Sequence, residues 1–168
     1  MLNKIARLRV PLGFLFGAVV LWLAQPTAQT LAIGGMIALV GEAIRLWAAG
    51  HLEKGREVTS SGPYRLTRHP LYLGSTIIGV GLAIAAASVA VAVIVLGYLA
   101  ITLTAAIRTE ESHLTEKFGA KYPEYRAGRM SVARSYSLER AMRNREYRAA
   151  MGVLVVFAVL FWKLSLEP

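Results

Sequence analysis

Between Gly62 and Gly74 the chain reads Gly62-Pro63-Tyr64-Arg65-Leu66-Thr67-Arg68-His69-Pro70-Leu71-Tyr72-Leu73-Gly74. Phenols, an imidazole and guanidiniums stand together here, and from Leu71 to Ile107 no residue is charged. A polar, basic segment therefore sits at the mouth of a long apolar run. That is a place to hold a polar cofactor against a membrane-dissolved substrate. Gly62-Pro63 signals a turn, and Pro70 suits the first position of a helix. Free backbone N–H groups at such a helix start favour an anion. His69, just before it, can donate to a carboxylate. The competing reading is interface anchoring, since Tyr64, Arg65, Arg68 and Tyr72 belong at headgroup level in any case.

A second polar cluster, Arg108-Thr109-Glu110-Glu111-Ser112-His113-Leu114-Thr115-Glu116-Lys117-Phe118-Gly119, closes the apolar run. It reads as a membrane helix that continues into the cytoplasm and stops at Gly119. Glu110, Leu114 and Lys117 share one face, and Arg108 can reach Glu111. Adjacent side chains on a helix diverge by about 100°, so the two carboxylates cannot face one pocket equally. The bland alternative is a solvated charged turn. Lys121-Tyr122-Pro123-Glu124-Tyr125-Arg126 follows and can fold back as a lid. Further upstream, Glu42 and Arg45 lie three apart inside an apolar run and can pair. Ionisable residues in a span face the bundle interior or a cavity, so this is either a packing pair or part of a site. There is no Gly-rich phosphate loop, and Gly79-Val80-Gly81 is best read as helix packing.

Composition says what must position these groups. Hydrophobic residues make up 55% of the chain, mean hydropathy is +0.49, and only 17% of residues are charged. A soluble domain carries about 25% charged residues. The apolar runs are Val10–Ala24, Thr30–Gly50, Leu71–Ile107 and Ala149–Trp162. A membrane helix needs about 20 such residues, so the third run fits two spans joined by a tight turn at Ala85-Ala86-Ala87-Ser88. The expected fold is an all-α integral membrane protein, one domain over residues 1–168. Five transmembrane helices are expected near 8–26, 30–50, 70–86, 88–108 and 148–165. The first run rises only about 22 Å, and Ile5 and Leu8 extend it if Arg7 and Arg9 snorkel. Its rival reading is a signal peptide, against which stand four further spans and the lack of a sharp cleavage site. Ser131–Arg148, basic and alternating with apolar residues, reads as one interfacial amphipathic helix feeding the last span.

Seventeen of the nineteen Lys/Arg residues fall in segments 1–9, 51–70 and 108–148. Positive residues stay inside, which puts the N-terminus and both large polar loops in the cytoplasm and the C-terminus outside. The net charge of +9 then reflects this asymmetry and attraction to anionic lipid headgroups. No folded basic module accompanies it, which argues against nucleic acid as a partner. The chain has no cysteine, so disulfides, thiolate chemistry and Cys-ligated metals are excluded. His51, His69 and His113 are not at metal-ligand spacing, and there is no Asp.

The two polar clusters together carry a resemblance. Gly62-Pro63-Tyr64…Arg68-His69-Pro70-Leu71-Tyr72-Leu73-Gly74, a hydrophobic hairpin, then Glu110-Glu111…Leu114…Phe118-Gly119…Tyr122…Tyr125 resembles the small integral-membrane methyltransferases. That group includes isoprenylcysteine carboxyl methyltransferases and phospholipid N-methyltransferases, and the match runs roughly from Glu42 to Arg126. It implies S-adenosylmethionine-dependent methyl transfer at the cytoplasmic membrane face, to a lipid-like or prenylated acceptor entering sideways from the bilayer. It also implies that His69, Pro70, Tyr72, Leu73, Gly74, Glu110 and Glu111 enclose the cofactor, with Tyr64, Tyr122 and Tyr125 beside them. Where the family often continues to an apolar, proline-containing stretch, this chain reads Arg126-Ala127-Gly128-Arg129-Met130, a departure that bears on the substrate class rather than the cofactor.

The chemistry suits the residue types. In-line methyl transfer draws much of its rate from positioning. A carboxylate acceptor needs a cation such as Arg126, Lys117 or Arg45 to hold it. An amine acceptor must lose a proton, which makes Glu110, Glu111 or His69 the base. Both inventories are present, so O- and N-methylation stay alternatives. The rival functions are a membrane reductase of the sterol-reductase type using NADPH, and a non-catalytic protein whose basic loops bind anionic lipid.

Overall fold

The computed structural model describes residues 16–119, 121–127, 129 and 133–166, excepting the side chains of Lys121, Tyr122 and Arg126. Helix α1 covers 16–23, so the first half of the expected span 8–26 lies outside the described residues. Then come α2 (Ala28–Ala49), a 3-10 turn (Gly62–Arg65), α3 (Pro70–Ala85), α4 (Val89–Phe118), α5 (Lys121–Arg126), α6 (Leu138–Arg143) and α7 (Glu146–Leu166). Among the described residues there is no strand. Helices α2, α4 and α7 are long and apolar enough to cross a membrane. Helix α3, with 16 residues, rises only about 24 Å and is shorter than a usual span.

Local chemistry sets the boundaries. The Thr27 hydroxyl accepts from the Thr30 N–H at 3.1 Å and starts α2. The α3–α4 turn falls on Ala86 and Ala87, the latter at φ 48°, and the Ser88 hydroxyl then accepts from Val91 N–H to start α4. Helix α4 runs on past its apolar part and ends at Gly119, φ 52°. At the far end of α7, Lys163 Nζ donates to the carbonyls of Leu21, Trp22 and Ala24 at 3.2, 2.8 and 2.5 Å. It thereby satisfies acceptors left open at the end of α1.

Helices α2 and α3 touch backbone to backbone. Gly34 and Gly41 of α2 meet Gly81 and Gly74 of α3. A methyl group on Gly41 would lie 2.7 Å from the Gly74 carbonyl oxygen, and one on Gly81 would lie 2.5 Å from that of Gly34. Small residues allow this approach, and close packing substitutes for the hydrophobic drive that is missing between helices in lipid. Large side chains such as Met36, Leu39, Met151, Leu154 and Trp162 point outward instead.

The segment before the last span is not one amphipathic helix. Residues 133–137 are extended or irregular, α6 has six residues, and the chain breaks at Asn144 and Arg145, the latter at φ 60°. The break has a cause. The Asn144 amide donates to the carbonyls of Ala49 and Leu52 at 2.9 and 2.8 Å, capping the end of α2. Glu53 completes the attachment by gathering Arg140 at 2.9 Å, Arg143 at 3.1 Å and Arg134 at 3.9 Å. The 133–143 segment is thus strapped across the loop after α2.

Burial pushes the Glu53 carboxyl up, but the hydrogen bond from Arg140 and the charges of Arg143, Arg140 and Arg134 outweigh it and hold it below the usual range. Because the folded value is depressed, the stabilisation is present above the ordinary carboxylate pKa of about 4.3 and is lost as pH falls through the folded value. Limited proteolysis is expected to find the strap protected at neutral pH and released in acid. Glu53→Gln is expected to release it at neutral pH and to abolish the acid step. Gly41→Ala is expected to cost about 1–3 kcal/mol through overpacking, read as a lowered unfolding midpoint in detergent.

Candidate active site

A cavity of about 950 Å³ opens between the loop after α2, the 64–72 segment, the length of α4 from Tyr98 to Phe118, and Tyr125 of α5. Sites for small molecules span about 300–1,000 Å³, so this one is at the large end. It has a polar end and an apolar arm. The polar end is built where the start of α3 meets the extension of α4.

His69 caps α3 with its backbone, and its carbonyl accepts from the N–H groups of Tyr72 and Leu73 at 3.1 and 3.0 Å. Pro70 has no N–H, so less of this helix start is left for an anion than the sequence implies. The His69 ring stacks on Tyr72, with centroids 5.7 Å apart. Its Nε2 lies 3.1 Å from Glu111 Oε1, and its Nδ1 lies 3.8 Å from Glu110 Oε2. A carboxylate only accepts, so Nε2 carries the proton and Nδ1 is turned toward Glu110. Arg68 also reaches Glu111 at 3.2 Å.

The two adjacent carboxylates therefore have different surroundings. Glu110 lines the cavity together with Leu114 and Lys117, and its charge acts on the hydroxyl of Tyr72. Glu111 does not line it; it holds His69 and Arg68 from behind. Burial, then the Glu110 charge, pushes the Tyr64 phenol well above its usual pKa. That side chain stays protonated and is a donor rather than a base. The Tyr125 hydroxyl donates to the Tyr64 carbonyl at 2.8 Å, and its ring packs with Val58, Leu114 and Phe118. In this way α5 folds back over the cavity.

Of the residues singled out in the sequence, Tyr64, His69, Pro70, Tyr72, Glu110 and Tyr125 line the cavity. Leu73 is exposed away from it, and Gly74 lies under Arg45, where a methyl group would meet Arg45 Cγ at 2.5 Å. The side chains of Tyr122 and Arg126 lie outside the described residues. Arg45 also lines the cavity. Its expected partner Glu42 is 3.9 Å away, whereas Glu146 of α7 is at 2.7 Å and Ser75 of α3 at 2.5 Å. Sequence spacing could not find Glu146, a hundred residues distant. It also passed over Glu53, Lys54 and Glu57 on the cavity wall. The available signal was that Glu53 and Glu57 are the only carboxylates in the loop after α2.

The chain is similar to known proteins. It is 36% identical over 104 residues to the cobalt-zinc-cadmium resistance protein CzcN of Cupriavidus metallidurans, covering 60% of this chain and 46% of that one. It is 32% identical over 99 residues to the nickel-cobalt-cadmium resistance protein NccN of Alcaligenes xylosoxydans xylosoxydans, covering 58% and 45%. The chain thus spans about half the length of these relatives. No solved structure matches it. A family model described as phospholipid methyltransferase matches residues 14–121, which takes in α2, the turn at His69, α3 and all of α4. The match covers well over half of the chain, and both walls of the polar end fall within it: the protein belongs to the phospholipid methyltransferase family.

Proposed function

We propose that the protein transfers a methyl group from S-adenosylmethionine to a lipid-like acceptor at the polar end of the cavity. The observation that carries this is His69 fixed between Glu110 and Glu111, where a polar chamber opens into an apolar arm along α4. The donor set suits the cofactor. Glu110 can take its ammonium or ribose, Arg68 or Lys54 its carboxylate, and the rings of Tyr72 and Tyr64 can face its sulfonium. When bound, the cofactor supplies an electrophilic methyl group. The protein's part is to align acceptor and donor and to exclude water as α5 closes over them.

The two chemistries use different residues. For an amine acceptor, Glu111 orients the ring and His69 Nδ1 takes the proton released at nitrogen. For a carboxylate acceptor no base is needed, and Arg45 or Lys117 holds the anion. The relatives' names concern resistance to divalent metals. Esterifying a lipid carboxylate removes an oxygen-donor charge that such cations use, which is one way the two themes meet.

Loop charge supports a cytoplasmic site, with the N-terminus inside and the C-terminus outside. A reporter placed after Pro168 is then expected outside and one near Gly128 inside; the same side for both would sink the five-span arrangement. Binding of S-adenosylmethionine but not NADPH in detergent is expected, which separates the reading from both rivals. Glu110→Gln is expected to weaken that binding by about 1–3 kcal/mol, the scale for losing a charge-assisted hydrogen bond. Glu111→Gln is expected to spare binding largely and to lower turnover by slackening His69. Calorimetry and initial rates on both variants check this; equal effects would remove the division of labour.

A further inference from the structure

We propose that the outward face of α6 and the turn into α7 form a docking surface for an anionic lipid bilayer. Leu138 and Met142 enter the acyl boundary, and Arg145 and Arg148 meet the headgroups. This reading does not depend on methyl transfer.

Helix α6 has two sides. Ala141 is buried, and Arg140 turns inward to Glu53 and the Gly50 carbonyl. Leu138 and Met142, four residues apart, share the outward side and are 60% and 51% exposed. Glu139 lies about 100° round the helix from Leu138, 89% exposed and on the flank that carries Arg143. An apolar edge and a charged flank are what a helix lying in the interface presents. Six residues are too few to stand as a helix alone. Here they need not, because Glu53 and Asn144 tie them to the end of α2 and α7 follows directly.

The height of this face in the bilayer follows from α7. Tyr147, Met151 and Leu154 are all exposed and recur at helical spacing, and so do Arg148, Met151 and Val155. Tyr147 and Arg148 therefore top the stripe that faces lipid lower down. The Arg148 guanidinium lies 6.0 Å from the Tyr147 ring centroid. Across the strap, Trp47 and Tyr136 are exposed on either side of His51, with centroids 6.3 and 6.1 Å from it. Aromatic rings at such a level mark the headgroup region.

Charge selects the kind of bilayer. Arg140 and Arg143 already have Glu53, and Glu146 has Arg45. Arg145 and Arg148 are exposed, and among the described residues neither has a carboxylate partner. Two unneutralised guanidiniums at headgroup height favour anionic lipid. The inward side of the same helix holds Glu53 on the cavity wall, so seating α6 also steadies that wall.

The test uses the whole protein in nanodiscs of phosphatidylcholine with increasing phosphatidylglycerol. The chain has no cysteine, so Leu138→Cys, Glu139→Cys and Met142→Cys can each carry one nitroxide. With phosphatidylglycerol, the labels at 138 and 142 are expected to collide more with oxygen than with a water-soluble nickel chelate, and the label at 139 the reverse. In phosphatidylcholine alone, 138 and 142 are expected to sit shallower. Arg145→Gln and Arg148→Gln are each expected to lower the apparent affinity for phosphatidylglycerol about five-fold. High salt is expected to act in the same direction. Equal depth at all three positions, or depth that ignores phosphatidylglycerol, would overturn the proposal. Labels at 138 and 142 that stay in water in both discs would overturn it too and leave the face to a soluble partner. If a labelled variant misfolds, hydrogen exchange of the unmodified protein decides. Slower exchange over 138–148 with phosphatidylglycerol is expected, and unchanged exchange refutes the docking.

Discussion

A guanidinium inside an apolar span has to be satisfied by protein, and much of this structure follows from how Arg45 is satisfied. In an apolar span each donor left open is costly. Arg45 finds Glu146 on α7, and Ser75 and the Leu71 carbonyl on α3. One side chain on α2 thereby fixes the first turns of two other helices. Removing one partner of such a pair costs about 3–5 kcal/mol, because the other charge is left buried. Gly74 belongs to the same constraint, since only a residue without Cβ leaves room for the Arg45 stem. The glycine contacts between α2 and α3 then make the crossing rigid.

That rigidity matters because His69 lies immediately before α3. Its ring is aimed by the helix start, by Tyr72 beneath it and by Glu111 on α4. The start of α3 is fixed to α2 through Arg45, and α4 is fixed to α3 by the tight turn at Ala86 and Ala87. Two polar clusters some forty residues apart in sequence are therefore brought to one point by a hairpin whose own residues carry no charge. The extension of α4 beyond its apolar part is what lets its carboxylates stand above the apolar arm. A helix that ended near Ile107 would leave the arm without a polar end.

The charged strap serves the opposite wall. Glu53 lines the cavity and also holds Arg140 and Arg143, so attachment of the 133–143 segment and the shape of the cavity share one carboxylate. The basic residues of this region are in part internal partners of Glu53. Asn144 adds to this by ending α2 and bending the chain into α7.

Periodicity, charge blocks and capping residues were enough to determine the helical class, the hairpin turn at residues 85–88 and the stop at Gly119, while the family was legible through the resemblance carried by the two polar clusters. Each of these depends on neighbours close in sequence, or on a motif that survives as a string of residues. The two polar clusters were legible for the same reason, and so was the need for Glu110 and Glu111 to diverge. Which of them faces the cavity was not, because that depends on the rotation of α4 against α3. Nor was Gly74 legible as packing, since its neighbour Arg45 lies on another helix. Glu146 as the partner of Arg45, Glu53 as the anchor of three arginines, and the break at Asn144 are all contacts across many tens of residues. Local spacing carries no information about them; only the packing of α2, α3, α4 and α7 against one another decided them.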